Sequence, residues 1–306
     1  MKTIITNQLR YDPLNDYLFY KVMGEKGDEV QLLGFINAVL GKTGNDRFTA
    51  VEIIENKSFS PKVIGDKASI LDVRAVLQSK TRVNIEVQIR NQYNMDRRSL
   101  FYWSREYAES LEAGQDYRDL PDVIAINIVD FDFPPVRNFH TLFHLRENQN
   151  RDLILTGALE IHFINMVQYR KQGRENIRDD PLCRWLAWLD ASSPAGLVAE
   201  VVKMDSAIET ANERMVYVTG DKEAIRAYEM RQMGLSDYTS AMNYARGEGH
   251  RIGHEEGHRQ GHEEGHRQGR QEGRQEGSNE ERLRLLEMLD LGLSIEEIKR
   301  QLIERM

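Results

Sequence analysis

Glycine recurs at every fourth position over a long stretch of this sequence of 306 residues. Eight glycines keep this spacing from Gly249 to Gly277, and the centre of the run reads GHEEGHRQGHEEGHRQ, an eight-residue unit in tandem. Five of the eight histidines of the chain lie inside the run, also four apart. Because a tandem repeat distorts composition totals, the chain has to be divided before the rest is interpreted. We place the division at residue 246, after a body of 1–245.

The repeat, 246–278, has two possible conformations. Residues four apart in an α-helix are offset by about 40°, so the glycines would form a slowly turning stripe. Each glycine costs about 0.5–1 kcal/mol relative to alanine, which makes an isolated helix marginal unless a partner chain packs closely on it. The sequence therefore predicts an extended helical stalk or a flexible spacer. The histidines could also bind a transition metal, although no third ligand is specified.

The last segment, 279–306, reads as two helices. Ser294 is placed to cap the second of them, and Glu297 follows three residues later, as in a capping box.

Charge and cysteine usage exclude several classes of protein. The chain carries 41 basic and 49 acidic residues, a formal charge of −8, so a general polycation that holds nucleic acid by bulk electrostatics is excluded. Any contact with DNA is expected to be local. The single cysteine, Cys183, rules out an internal disulfide framework and a Cys-rich zinc site. No stretch approaches the roughly 18 apolar residues of a membrane helix. We expect a cytoplasmic protein without membrane contact.

The body alternates helical and strand patterns, which predicts a mixed α/β fold. Two segments, ILDVRAVL at 70–77 and RVNIEVQI at 82–89, alternate apolar and polar residues across a short polar turn and predict a hairpin. The other predicted elements are helices at 17–23 and 32–40, a strand at 51–59, a long amphipathic helix from Asn94 to near Gly114, a buried strand at 122–131, strands within FHTLFHLRE and ALEIHFINMV, and helices from 181 to near Tyr244.

The predicted hairpin carries residues suited to metal chemistry. Asp72, Glu86 and Gln88 fall on the face opposite to the apolar one, so two neighbouring strands present two carboxylates together. Oxygen ligands of this kind suit Mg²⁺, which can lower the pKa of a bound water and stabilise charge on a phosphate. The alternative is that these are solvent-facing polar residues of an ordinary hairpin.

These residues also resemble a known family. D-V-R-A at 72–75 and I-E-V-Q at 85–88 look like the PD-(D/E)xK nuclease core in its E-x-Q form. More specifically, the chain resembles the Rpn family of recombination-promoting nucleases and transposases. The resemblance extends over about 12–131 in the family's order, through NDYLFYKVMG (15–24), LLGFINAVLG (32–41), DKASILDVRA (66–75), VNIEVQ (83–88) and the helix and strand of 97–131.

The resemblance implies a restriction-endonuclease-like α/β fold, a mixed sheet flanked by helices, followed by the helical repetitive tail. It further implies a Mg²⁺-dependent endodeoxyribonuclease, with Mn²⁺ or Ca²⁺ as alternative cations and no small-molecule cofactor. The expected partners are DNA and, by analogy at the level of the fold, a second copy of the chain. The activity would serve DNA recombination or mobile elements, and defence against foreign DNA is a further role. The alternative from another class is a catalytically weak or inactive nuclease fold that acts as a DNA-binding or oligomeric interaction module.

The family's roles transfer to particular positions. Asp72 and Glu86 would bind the metal, the carbonyl of Val87 would complete the protein ligands, and Gln88 would stand where related nucleases have lysine. Glutamine supplies only a neutral dipole, so activity would be weaker or would depend on a second metal or another cation. Asp16 is the candidate acidic residue of the first helix and Asp12 is its rival; either could instead be a helix N-terminal charge.

A basic cluster is expected to contact the DNA backbone. Arg98 and Tyr102, four residues apart on the helix after the hairpin, are the preferred pair, and Lys67 is a further candidate. Lys67 and Arg74 are also candidates to supply the positive charge that Gln88 lacks, and the alternative for each is a solvated charge at a strand end. For the helix itself, the alternative is a surface element with solvated arginines and a core-facing stripe of Leu100, Tyr107 and Leu111. His140, His144 and His162 lack a coherent metal-ligand spacing, and ordinary strand histidines are expected.

Overall fold

The computed structural model describes residues 11–27, 29–54, 73–172 and 176–303. The chain divides into two compact units, Met1–Gly234 and Leu235–Met306. In the described part, no helix combines the length and the apolar character that a membrane span requires.

A six-stranded mixed sheet forms the centre of the first unit, in the order β1-β2-β3-β4-β6-β5. The predicted hairpin is confirmed as the antiparallel pair β2 and β3, and β3, β4 and β6 run parallel to one another. At one edge of the sheet β1 pairs antiparallel with β2, and at the other edge β5 pairs antiparallel with β6. The strands are β1 (Val51–Ile53), β2 (Val73–Leu77), β3 (Arg82–Gln88), β4 (Val123–Val129), β5 (His140–Phe143) and β6 (Leu159–Asn165). The mixed α/β fold expected from the sequence is therefore confirmed.

Helices flank this sheet, and capping residues mark the start of the first helix and the end of the second. Asn15 accepts from the backbone N–H groups of Tyr17 and Leu18 at the first helix, and Gly41, at a φ of 61°, follows the second. The described helices of the first unit are α1 (Asp16–Met23), α2 (Val30–Val39), α3 (Met95–Glu109), α4 (Met166–Gln172), α5 (Pro181–Leu189), α6 (Ala195–Met204) and α7 (Ser206–Thr219). α8 (Lys222–Asp290) begins in the first unit and continues into the second, which also contains α9 (Ile295–Ile303).

Two expected boundaries differ from the structure. The long helix was expected to reach Gly114, but α3 ends at Glu109 because the Ser110 hydroxyl and N–H satisfy the carbonyl of Tyr107. The strand expected over 51–59 is described only as β1, since residues 55–72 lie outside the described part of the chain.

The two faces of the sheet differ in polarity. One face packs on α1, α2 and α5 and forms the main apolar core, which contains Ile85, Ile126, Phe35 and Trp185. α3 covers the other face. There Met95 packs with residues of β4 and β6, whereas the part over β2 and β3 is polar. The site is built on that polar part.

In the second unit, α8 continues without interruption through the repeat. The repeat glycines do not pack closely against other residues, because a Cβ atom added at Gly249 or at any later repeat glycine would meet open space. Of the two conformations expected for the repeat, the structure shows the helical one and not a flexible spacer. The capping box before α9 is confirmed as well: the Ser294 N–H and hydroxyl both donate to Glu297 Oε2, at 2.8 and 2.7 Å.

Candidate functional site

Glu86 lies on β3 and is almost completely buried, with 1% of its surface exposed. Its neighbour Ile85 pairs with Val73 of β2, and Glu86 itself pairs with Asn127 of β4. Asn84, on the same face, is 5% exposed. The alternative of a solvent-facing polar hairpin is therefore wrong for β3, because α3 packs over this face. A buried carboxylate is costly unless it is paired, so its surroundings decide what it can do.

The partner of Glu86 is Arg98 of α3. The Arg98 guanidinium donates from Nε to Oε1 of Glu86, and it also lies over the Tyr102 ring, 5.3 Å from the ring centroid. Glu86 Oε2 and Arg98 Nη2 are buried and have no hydrogen-bond partner within the described residues. Burial raises the pKa of the Glu86 carboxyl above its ordinary value, and the charge and hydrogen bond of Arg98 act in the opposite direction. The structure thus brings Glu86, Arg98 and Tyr102 together.

Gln88 lies at the carboxyl end of β3 and is half-buried. Its Nε2 donates to the Arg90 carbonyl at 3.2 Å. The backbone carbonyl of Gln88 accepts a hydrogen bond from the N–H of Asp130, the residue just beyond β4, at 3.1 Å. Between Glu86 and Gln88, Val87 pairs with Ile128 and packs against the main core.

Asp16 is the first residue of α1, where it forms an ion pair and accepts a backbone hydrogen bond. Its Oδ2 lies 2.6 Å from Arg231 Nη1, and its Oδ1 accepts from the N–H of Tyr17 at 2.8 Å. Burial raises the pKa of the Asp16 carboxyl, and Arg231 opposes the rise. Asp12 accepts from the N–H of Leu14 at 3.0 Å. No hydrogen bond or ion pair of the described residues joins Asp16 to Glu86.

Asp72 and Lys67, two of the predicted site residues, lie outside the described residues. Val73, which follows Asp72 in the chain, is the first described residue of β2 and pairs with Ile85. Over the described residues, no three His, Cys, Asp or Glu side chains come close enough to hold a metal ion.

A second buried ion network fixes α3 over the hairpin and was missed by sequence reasoning. Glu106 of α3 binds Arg74 Nε through Oε2 at 2.6 Å and Arg82 Nη1 through Oε1 at 2.9 Å. Glu106 is 4% exposed, so Arg74 is not a solvated charge at a strand end. The expected apolar stripe of α3 is also wrong, since Leu100 is 51% exposed. Nothing in the local sequence distinguishes Glu106 from a surface glutamate, because its two arginine partners are 32 and 24 residues away in the chain.

A third ion network lies at the carboxyl end of the parallel strands. Arg170 of α4 binds both carboxylate oxygens of Asp130, at 2.6 and 3.0 Å, and its Nε lies 3.1 Å from Asp190 Oδ1. Because Asp130 also bonds to the backbone of Gln88, this network adjoins the end of β3. The only sequence signal was the position of Asp130 directly after a buried strand.

The strand histidines satisfy one another, as expected of ordinary strand residues. His140 Nε2 lies 3.0 Å from His162 Nδ1 across β5 and β6, and His162 Nε2 lies 3.4 Å from Glu160. Burial and the neighbouring His162 lower the pKa of His140 to about 4. His144 bonds to the Leu159 carbonyl at 3.2 Å.

Comparison with known proteins gives one match. A family model described as PD-(D/E)XK nuclease family transposase matches residues 13–245, which is more than half of the chain. No curated protein and no solved structure matches the chain.

Proposed function

Because the chain belongs to the family of PD-(D/E)XK nuclease family transposases, we propose that it is a metal-dependent endodeoxyribonuclease that hydrolyses phosphodiester bonds in DNA. Glu86 carries the proposal. It is a buried carboxylate in the second strand of the hairpin, and its Oε2 has no partner among the described residues. Buried polar atoms are nearly always satisfied, and exceptions concentrate at functional sites.

The donor set fits a hard divalent cation. Glu86 Oε2 supplies one oxygen, and we propose Asp72 and the carbonyl of Val87 as the others. Val73, the residue after Asp72, pairs with Ile85, the residue before Glu86. We propose that the antiparallel register continues by one residue and brings Asp72 opposite Glu86. Mg²⁺ is the cation proposed, with Mn²⁺ or Ca²⁺ as alternatives. Such an ion, when bound, lowers the pKa of a coordinated water and neutralises charge on the phosphate.

Arg98 has two successive partners in this proposal. Without a cation, its guanidinium compensates the buried Glu86 carboxylate. A cation at Glu86 would compete with Arg98 for the same charge, and the released guanidinium, beside Tyr102, would then bind a DNA phosphate. Lys67 is proposed as a further DNA contact and Asp16 as an additional acid.

Gln88 would orient a water or a phosphate oxygen only through its amide dipole. A lysine at this position would bring a full positive charge, so we propose that hydrolysis by this chain is slow or draws its positive charge from Arg98. A role in recombination, mobile DNA or defence, a homodimeric state and a cytoplasmic location also belong to the proposal, and they rest on the family and the sequence alone.

One observation favours a second candidate function. The Arg98 ion pair occupies Glu86 Oε1, and a side chain held there would block metal entry if it did not move. The chain would then be a catalytically inactive nuclease fold that binds DNA or a second copy of itself.

Nicking of supercoiled plasmid distinguishes the two functions. The wild type is compared with Asp72→Asn and Glu86→Gln, in EDTA and with Mg²⁺, Mn²⁺ or Ca²⁺. Both substitutions keep the side-chain shape and remove the negative charge that a metal requires. We expect cation-dependent nicking by the wild type, and a loss of at least about 100-fold in either variant.

Glu52→Gln is the matched control, because Glu52 is an exposed carboxylate of the same sheet. It should nick as fast as the wild type. Equal nicking by the wild type, Asp72→Asn and Glu86→Gln would overturn the nuclease site, and absence of nicking with retained DNA binding would favour the second candidate.

A further inference from the structure

The histidines of α8 form a row on one continuous helix. His250, His254, His258, His262 and His266 are each four residues apart, and all five are exposed. A helix brings residues at this spacing next to each other, with Cβ atoms about 5–6 Å apart. The conformation seen for α8 therefore supplies what the sequence alone left open, which is a fixed geometry between successive imidazoles.

We propose that this row binds soft or borderline transition-metal ions, Zn²⁺, Ni²⁺ or Cu²⁺, with each ion held by two histidines at positions i and i+4. The proposal is independent of the nuclease site, because it involves neither Glu86 nor the sheet.

The side-chain geometry suits a shared ion. The rings of His262 and His266 already lie with their centroids 4.6 Å apart. Two imidazole nitrogens bound to one Zn²⁺ at about 2.0–2.1 Å in a tetrahedral arrangement lie about 3.3 Å from each other. A rotation of the two side chains reaches that separation without moving the helix. No hydrogen bond of the described residues occupies the five rings, so binding displaces only water.

The charges along the row are mixed, with a small excess of negative charge. From His250 to His266 the helix carries four glutamates and two arginines. One shallow groove of the helix surface is lined by His254, Glu255, His258 and Arg259, and another by His262, Glu263 and His266 together with Arg267, Arg270 and Arg274. Imidazole suits Zn²⁺, Ni²⁺ and Cu²⁺, whereas Mg²⁺ prefers oxygen ligands and keeps its waters. With two protein ligands for each ion, water completes the coordination.

The row sets a specific stoichiometry. An ion uses two adjacent histidines, and positions i and i+8 are about 12 Å apart along the helix, so no ion reaches three of them. Five histidines in a row therefore hold about two ions for each chain, with one histidine left over. The two pairs that share a sequence, HEEGH, are His254 with His258 and His262 with His266.

Single substitutions should then act in alternation. Removal of His250, His258 or His266 leaves two separate pairs and should keep about two ions bound. Removal of His254 or His262 leaves one isolated histidine and a group of three, which can hold only about one ion. Glutamine is a suitable replacement because it favours the helix almost as well as alanine.

The test is equilibrium dialysis of the full-length chain, free of any affinity tag, against Ni²⁺ and Zn²⁺ at pH 7.5, with bound metal measured by atomic emission. The five single His→Gln variants and Glu52→Gln, a change at an exposed carboxylate outside both proposed metal sites, are compared with the wild type, and circular dichroism checks that each stays folded. We expect His254→Gln and His262→Gln to lose about half of the metal bound by the row, and the other variants, Glu52→Gln included, to lose none.

Three results would overturn the proposal. These are the absence of saturable binding by the wild type, an equal loss of bound metal in all five histidine variants, and an equal loss in Glu52→Gln, which would show that the binding does not depend on the histidines. None of these results concerns Glu86, so the two proposals fail separately.

Discussion

Arg98 of α3 and Glu86 of β3 form a buried ion pair in which each partner keeps one atom unsatisfied. Their side chains are 15% and 1% exposed, and the contact joins Arg98 Nε to Glu86 Oε1. Glu86 Oε2 and Arg98 Nη2 have no partner among the described residues. A buried pair that is only half satisfied gains little over separated ions in water, so it exchanges partners more readily than a fully bonded one. A cation that takes the free oxygen of Glu86 would complete its surroundings.

Arg98→Met should destabilise the metal-free protein. The substitution keeps the length of the side chain and leaves the Glu86 carboxylate buried without its partner, which costs about 3–5 kcal/mol of unfolding free energy. Urea unfolding in EDTA measures this loss. If Glu86 ligates a cation, Mn²⁺ should restore part of the lost stability in the variant.

Arg105→Met is the control on the same helix. Arg105 pairs with Glu109 one turn away, and both side chains are about half exposed. Removal of an exposed pair of this type costs only about 0.3–0.5 kcal/mol. Losses of similar size in the two variants would show that Arg98 does not compensate a buried charge.

His140 should make the protein sensitive to mild acid. Its pKa is lowered to about 4 in the folded chain, from an ordinary value of 6.5, by burial and by the neighbouring His162. Between these values the unfolded chain binds more protons than the folded one, so the unfolding free energy rises with pH from about 4 to 6.5 and is lost on acidification. Because His140 is partly exposed, we expect a contribution of roughly 1–3 kcal/mol.

His140→Gln tests this contribution. The groups that face His140 are His162, which lowers its pKa, and Asp180, which raises it. Urea unfolding at several values between pH 4 and 7.5 should give a flatter pH dependence for the variant than for the wild type. His250→Gln, on the exposed tail, should keep the full slope. Parallel curves for the wild type and His140→Gln would contradict the assignment.

Glycine has opposite roles in the body and in the tail. At Gly34 of α2, a Cβ atom would lie 2.4 Å from the Cβ of Ala207 in α7, so Gly34→Ala should force the two helices apart and cost about 1–3 kcal/mol. At Gly261 a Cβ atom meets open space, and Gly261→Ala should stabilise α8 by about 0.5–1 kcal/mol. Thermal unfolding followed by circular dichroism measures both. A stable Gly34→Ala variant would show that the helices do not approach so closely.

The elements of this fold could be predicted because each has a strong local pattern. The alternation in β2 and β3 and the continuous apolar run of β4 each correspond to a strand, and Ser294 with Glu297 corresponds to a helix start. The alternation of apolar and polar residues in β3 did not reveal that Glu86 is buried. A polar residue on an alternating strand gives the same sequence pattern whether a helix or solvent covers that face of the sheet.

Contacts between residues distant in the sequence could not be predicted from local patterns. The partners of Arg74 and Arg170 are distant in sequence: Glu106 is 32 residues from Arg74, and Asp130 is 40 residues from Arg170. The His140–His162 contact depends on the register of β5 against β6. Local spacing in the sequence carries no information on such contacts. The family resemblance identified Glu86 as a candidate metal ligand, but it did not predict the ion pair between Glu86 and Arg98.

Gln88→Lys should increase nicking if the proposed site is active. The side chain at this position lies at the carboxyl end of β3, two residues after Glu86 and on the same face. A lysine there would bring a positive charge to the scissile phosphate in place of the amide, which now donates to the Arg90 carbonyl. An electrostatic gain of about 1.4 kcal/mol in the transition state corresponds to a tenfold faster rate. Gln88→Met removes the amide without adding charge and should nick no faster than the wild type. Initial rates on supercoiled plasmid with Mn²⁺, at equal thermal stability, compare the three proteins. If lysine and methionine gave the same rate, position 88 would contribute no charge to the reaction, and the missing cation would have to be sought at Arg98.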